Sequence, residues 1–306
     1  MKEGIFDRLW IQPAAGDAGG ALGAALFIWH QLLEQPRHSD GERDRQHASL
    51  LGPRFDGSEI RTFLDGIGAP YHQTPDEHEL AERLSEEISA GKVIGLFQGR
   101  MEFGPRALDA RSSEMQSVMN LKIKFRESFR PFAPCVLREH AHEWFDIRPT
   151  DDSPYMLLVA GVHPDKQLSV SENGDTPRGM AGLLGVARSV IPAVTHVDRS
   201  ARLQTIDREG QNRLHQPIKA FGDRTGCPVI INTSFNIHGE LILCSPEDAY
   251  RCFMVTNMDV LVLEDCVLFK HEQPQAEAHE IEQHLGGALS LTSGLEKGVP
   301  RQHGLD

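Results

Sequence analysis

Lys122, Lys124, Arg126 and Arg130 fall within nine positions of one another in KIKFRESFRPFAP, opposed only by Glu127, in a chain whose formal net charge is −13. Cations gathered so tightly in an acidic protein suit a small, specific anion. Arginine grips phosphate or carboxylate through a bidentate fork, and lysine acts as a point charge. In Lys124-Phe125-Arg126 an extended backbone would send both cations to one side and the ring to the other. A second stretch, VIINTSFN, ends an apolar run in Asn232, Thr233, Ser234 and Asn236, short donors and acceptors that suit phosphate oxygens or a carbonyl. A third, GRMEFGPRALDARS, sets Glu102 and Arg106 on either side of the Gly104-Pro105 turn, and a fourth, HVDRSARLQT, carries Arg202. Each stretch alone also reads as a solvated basic face, a surface ion pair or a capped loop. Placed together they make a polyphosphate-sized anion site.

Other chemistries find less support. Asp17 lies among Gly16, Gly19 and Gly20 in a glycine-rich turn, PAAGDAGG, where backbone can approach a phosphate and a carboxylate can reach a hard cation. One ligand does not make a metal site. There is no H-E-x-x-H, no G-x-S-x-G and no G-x-x-x-x-G-K-[ST], and His140-Ala-His142 reads as solvated. The acidic balance argues against a protein that coats nucleic acid. Hydrophobic runs are too short to span a membrane and no signal peptide is visible, so the expected setting is the cytoplasm, with neither nucleic acid nor membrane as partner. The five cysteines show no C-x-x-C spacing and read as reduced, mostly buried small hydrophobes.

The elements that must position these groups alternate between strand and helix, so the fold class is α/β. With 306 residues, 40% of them hydrophobic, the chain can bury a substantial core. A short strand is expected at Leu9–Ile11 and an apolar helix from Ala21 to about Leu33. Thr74-Pro75-Asp76-Glu77 reads as a capping box opening a helix whose Leu80, Leu84 and Ile88 share a face, followed by a strand at Val93–Phe97. Ser245-Pro246-Glu247-Asp248 opens a helix to about Val255. A closing hairpin then turns around Glu264-Asp265.

GRMEFGPRAL, MNLKIKFRESFRPFAP, HVDRSARLQT and NTSFNIHGE followed by SPEDAYRCF resemble, in that order from about Leu51 to Phe269, the C-terminal YrdC-like domain of the O-carbamoyltransferases that modify nodulation factors, aminoglycosides and cephalosporins. RLWIQPAAGDAGGALGAAL resembles the last portion of the same enzymes' actin-like ATPase-type domain. The resemblance implies a remnant of that domain over 1–34, a linker over 35–54, a YrdC-like twisted mixed sheet with flanking helices over 55–270, and a flexible tail over 271–306.

It further implies that carbamoyl phosphate and ATP, with Mg²⁺, give carbamoyl-adenylate, and that the carbamoyl group passes to a hydroxyl of a small-molecule or oligosaccharide acceptor. By motif position Lys124 and Arg126 match a K-x-R pair, and Ser234 and Asn236 an S-x-N pair, that cradle the phosphates and the carbamoyl group. Arg106, Arg130 and Arg202 match further anion-binding arginines, and Asn232 and Thr233 belong to the same binding stretch. Asp17 matches a metal-binding aspartate for Fe²⁺ or another divalent ion, with Gly16, Gly19 and Gly20 beside the adenylate.

Two departures from the family pattern stand out. Asp109 replaces a glycine, and after Ser112 the chain is shorter by about seven residues, a loop change beside Arg106 and Arg111 that folding tolerates. The remaining metal ligands and acceptor pocket are not seen, so the expectation is an incomplete enzyme needing an N-terminal partner chain or a homodimer. A non-catalytic nucleotide- or RNA-binding module and an inactive truncated product are the competing readings.

Overall fold

The computed structural model describes Ile5 and residues 11–13, 17–38, 46–101, 105–109, 132–169, 186–236 and 242–275; for residues 17, 18 and 105–109 it describes the backbone alone. Among the described residues nine strands form two mixed sheets, in keeping with the α/β class. The first is ordered β1 (His72–Gln73), β9 (Cys266–Phe269), β8 (Val260–Leu263), β2 (Ile94–Phe97); the second is β3 (Pro105–Asp109), β7 (Val229–Ser234), β4 (Ala133–Leu137), β6 (Ser200–Ile206), β5 (Leu158–Gly161). Each contains one parallel pair, β2 with β8 and β4 with β6. The inner strands β4 and β8 are buried along their whole length, which is why APCVL and VLVL are continuous apolar runs instead of alternating ones.

The described α-helices are α1 (Asp17–Phe27), α2 (Gly57–Ile67), α3 (Glu77–Ser89), the single turn α4 (Ala141–Trp144), α5 (Asn212–Thr225) and α6 (Pro246–Val255). Local chemistry sets their ends. Ser245 caps α6 through its side chain to the Asp248 N–H, with Pro246 at the first helical position, as the sequence predicts. Asp56 and Glu59 form a reciprocal capping box at the start of α2, and Gly68 closes it in the left-handed region at φ 65°. The D-x-x-E signature was available there, yet this helix is missing from the sequence reading.

Several expectations are corrected. Helix α3 starts at Glu77 and is capped by Asp76, not Thr74: the Asp76 carboxylate takes the Glu79 N–H at 2.8 Å, while Thr74 is buried and its own N–H is spent on the Asp265 carbonyl. A charged acceptor bonds a first-turn N–H more strongly than a hydroxyl does. Gly19 and Gly20 lie inside α1, which already begins at Asp17, because the alanines and leucines that follow propagate a helix through them. Ile11 is in no strand, and Leu9 lies outside the described residues. Strand β7 continues past Asn232 to Ser234, drawn out by pairing with β3.

The hairpin β8–β9 turns on Glu264-Asp265 as expected, with Glu264 at φ 51°. Cys135, Cys227, Cys252 and Cys266 are buried, and Cys244 is exposed. Among the described residues, no helix is long and apolar enough to cross a membrane.

Candidate functional site

Register on the five-stranded sheet decides which polar groups can act together. On β6, Arg202 and Gln204 stand two apart and share a face. Gln204 is in register with Cys135 on β4, and Ala133, two residues earlier, is in register with Asn232 on β7. The two amides therefore lie on one face with β4 between them, and Asn232 Nδ2 donates to Gln204 Oε1 at 2.6 Å. Gln204 Nε2 in turn donates to the Pro154 carbonyl at 3.3 Å. Both amides are buried, and Asn232 Oδ1 has no hydrogen-bond partner among the described residues.

Ser234 continues the same face, and its hydroxyl donates to Asn236 Oδ1 at 2.8 Å. Extending the parallel register of Gln204 with Cys135 by two residues sets the exposed Arg202 level with Asn232 across Ala133, and the half-buried Ser234 comes next on that face, so both stand on the Asn232 side of the amide pair. Thr233 takes the opposite face by strand alternation and is in register with Arg106. The four polar residues of INTSFN, expected as one cluster, are split because the strand extends through them. Lys124, Arg126, Arg130 and Gly16 lie outside the described residues, and so do the side chains of Arg106 and Asp17.

Beside Arg202, the loop ahead of β6 builds a cluster that the sequence reading missed. The Ser200 hydroxyl donates to Asp198 Oδ1 at 2.7 Å, and His196 Nδ1 stands 2.9 Å from Ser200 Oγ. A carboxylate only accepts, so the serine proton goes to Asp198 and the imidazole must donate through Nδ1–H, leaving Nε2 as the basic nitrogen. Burial pushes His196 below its ordinary pKa; Asp198 opposes the shift and Arg202 adds to it. The bonds from Ser200 hold the Asp198 carboxyl below the usual carboxylate range. The legible signal was period two: Ser200, Arg202 and Gln204 alternate with Ala201, Leu203 and Thr205.

A cavity of about 310 Å³ opens where β2 ends and β7 exits, with apolar walls from Leu50, Leu96, Phe235 and Leu243 and polar groups from Gln98 and Arg100. Glu264 organises its rim. One carboxylate oxygen takes the Gly99 N–H at 2.8 Å, the other takes the Arg213 guanidinium, and the Glu264 carbonyl takes Gln98 Nε2 at 2.9 Å. A single buried carboxylate thus ties the β8–β9 turn to the chain leaving β2 and to the first turn of α5. A second cavity, between α3 and α5, is walled by charged side chains and the buried His215, which holds Glu139 at 2.8 Å.

Among the described residues no group of three or more His, Cys, Asp or Glu gathers to hold a metal ion, and the side chain of Asp17 lies outside them. The metal expected at Asp17 enters no step below.

Residues 85–270 match the family model described as Carbamoyltransferase C-terminus. The chain is 50% identical over 286 residues to the uncharacterized protein sll1178 of Synechocystis sp., covering 90% of this chain and 46% of that protein. It is 37% identical to Nodulation protein NolNO of Sinorhizobium fredii, over 86% of this chain and 36% of that one. Nodulation protein U of the same species is 31% identical over 78% of this chain and 37% of its own length. The chain spans less than half the length of these relatives.

Proposed function

This chain belongs to the Carbamoyltransferase C-terminus family, and on that premise we propose that it forms carbamoyl-adenylate from carbamoyl phosphate and ATP for transfer to a hydroxyl acceptor. Water cleaves carbamoyl phosphate to carbamate and inorganic phosphate. A carbamate oxygen then attacks the α-phosphorus of ATP; the new P–O bond forms as the bond to the bridging oxygen breaks, and pyrophosphate leaves with that electron pair. In the transfer step an acceptor hydroxyl attacks the carbamoyl carbon, loses its proton, and AMP departs.

The observation that carries this reading is the single polar face shared by Arg202, the Gln204–Asn232 amide pair and the Ser234–Asn236 pair. A guanidinium and a hydroxyl on the Asn232 side of a buried amide pair suit a phosphorylated substrate that carries a small polar group. Lys124, Arg126 and Arg130 supply the remaining positive charge, offsetting the phosphates of ATP carried in with Mg²⁺. Ser234 and Asn236 orient the transferring group, and the apolar cavity beside Phe235 takes the base of the nucleotide. The acceptor is a hydroxylated small molecule or oligosaccharide.

Incubation of the chain with ATP, Mg²⁺ and carbamoyl phosphate, read by mass spectrometry for carbamoyl-adenylate and by pyrophosphate release, tests the first step. Lys124→Ala and Ser234→Ala should each lower release by about a hundredfold, the scale of losing one preorganised donor. Release that persists unchanged in Lys124→Ala would overturn the assignment.

A further inference from the structure

We infer that Asn232 is a specificity-determining residue whose Oδ1 accepts an N–H from the carbamoyl amide, so that the site takes carbamoyl and turns away acyl groups in which a methyl replaces the amino group. This rests on the carbamoyl reading above and goes beyond it, since it assigns the asparagine a role as acceptor and not as a phosphate donor.

The direction of the buried amide chain is not free to reverse. The Pro154 carbonyl can only accept, so Gln204 must turn Nε2 towards it and Oε1 towards Asn232. Gln204 Oε1 in turn demands a donor, so Asn232 presents Nδ2, at 2.6 Å. Turning either amide over would set two acceptors or two donors face to face. What remains is Asn232 Oδ1, on a residue only 2% exposed and with no partner among the described residues. A buried carbonyl oxygen held without a hydrogen bond is costly and uncommon in native structures, and one held in a fixed orientation at a binding face is ready for a donor from a ligand.

Charge and position indicate which donor. Ser234 follows on the same face of β7, and Arg202 adjoins Gln204 on β6, so Oδ1 lies among groups that suit a phosphate. Phosphate oxygens carry no N–H to offer. In carbamoyl phosphate the amide is one bridging oxygen and one carbon from the phosphorus, so an acceptor among phosphate-binding groups meets that amide. The adenine amino group is at the far end of ATP from its phosphates. Ala133, in register with Asn232 on β4, keeps the surroundings small on that side.

The test is calorimetric binding of two stable analogues to the whole chain: phosphonoacetamide and acetonylphosphonate, which differ only in NH₂ against CH₃. The chain should bind phosphonoacetamide about 10- to 100-fold more tightly, because the methyl leaves the buried acceptor unpaired. In Asn232→Leu the preference should fall to within about threefold. In Gln204→Leu it should fall part of the way, because the freed amide can rotate. Equal binding of the two analogues by the unaltered chain would overturn the inference, whatever the variants do. A preference retained in Asn232→Leu would also overturn it, as would a change confined to the preference for ATP over GTP, which would assign Oδ1 to the adenine amino group. Binding of neither analogue would instead defeat the carbamoyl reading itself.

Discussion

Phe235 closes onto Gly95 so tightly that a Cβ on the glycine would stand 2.5 Å from the phenyl Cζ, with Met258 Sδ 3.1 Å away. The contact joins the exit of β7 in one sheet to β2 in the other, and the same ring walls the cavity. No side chain fits at position 95 without moving that ring. Gly95→Ala should therefore destabilise the chain by about 1–3 kcal/mol, the range for overpacking a filled core. A urea midpoint indistinguishable from that of the unaltered chain would show that the ring has room to retreat.

The Glu264 carboxylate supports two groups at once, and its replacement should be felt at both. Glu264→Gln keeps an acceptor for the Gly99 N–H but loses the charge facing Arg213. We expect a loss of about 2 kcal/mol in chemical denaturation, the scale for hydrogen bonds to charged groups. A double-mutant cycle with Arg213→Gln should return a coupling of about 1 kcal/mol, reduced because the arginine is partly exposed. Strict additivity would mean that the two groups act independently.

The thiols should separate cleanly by reactivity. Only Cys244 of the five is exposed, whereas Cys266 is buried and its thiol is pushed up to about 12 by burial, reinforced by the Asp265 carboxylate. Native protein should react quickly with one equivalent of a disulfide reagent, and denatured protein with all five cysteines. Fast modification of Cys266 in the native state would contradict its packing.

His196 should titrate below its ordinary value of 6.5 and stay neutral, protonated on Nδ1, at that pH. A lowered native pKa means that the unfolded chain takes up the proton first. Stability tied to this residue is therefore fully present above 6.5 and is lost as pH falls from there through the native value. Replacing Arg202 with methionine removes a cation that pushes the pKa down, so the midpoint should rise. Nitrogen-15 NMR of the imidazole reads both the midpoint and the tautomer. A midpoint that falls on removing Arg202, or an Nε2–H form, would refute the arrangement.

Local chemistry was sufficient for much of the architecture. Ser245-Pro246 opens α6 and Glu264-Asp265 turns the last hairpin because caps and two-residue turns depend on a few adjacent residues. The buried cysteines follow from the apolar runs around them. Alternation in SARLQT was enough to put Arg202 and Gln204 on one face. Even Asp56 and Glu59 carried their helix start in plain view. The choice of Asp76 over Thr74 as the cap of α3 did not follow locally, because the Thr74 N–H is taken by Asp265, distant in sequence.

What the chain itself determined, then, was element type, the burial pattern and the inventory of charged and polar groups; what only the tertiary structure decided was which of those groups meet. Gln204 and Asn232 are 28 residues apart and touch because β4 lies between their strands in one particular register. A slip of one residue would turn Asn232 to the other face with Thr233's neighbours reversed. That register is fixed by the combined burial of Val136, Leu203, Ile230 and the rest of the core, a sum over distant segments that no short motif contains. The same sum holds one carbonyl oxygen of Asn232 buried without a partner among the described residues, the feature on which specificity is proposed to rest.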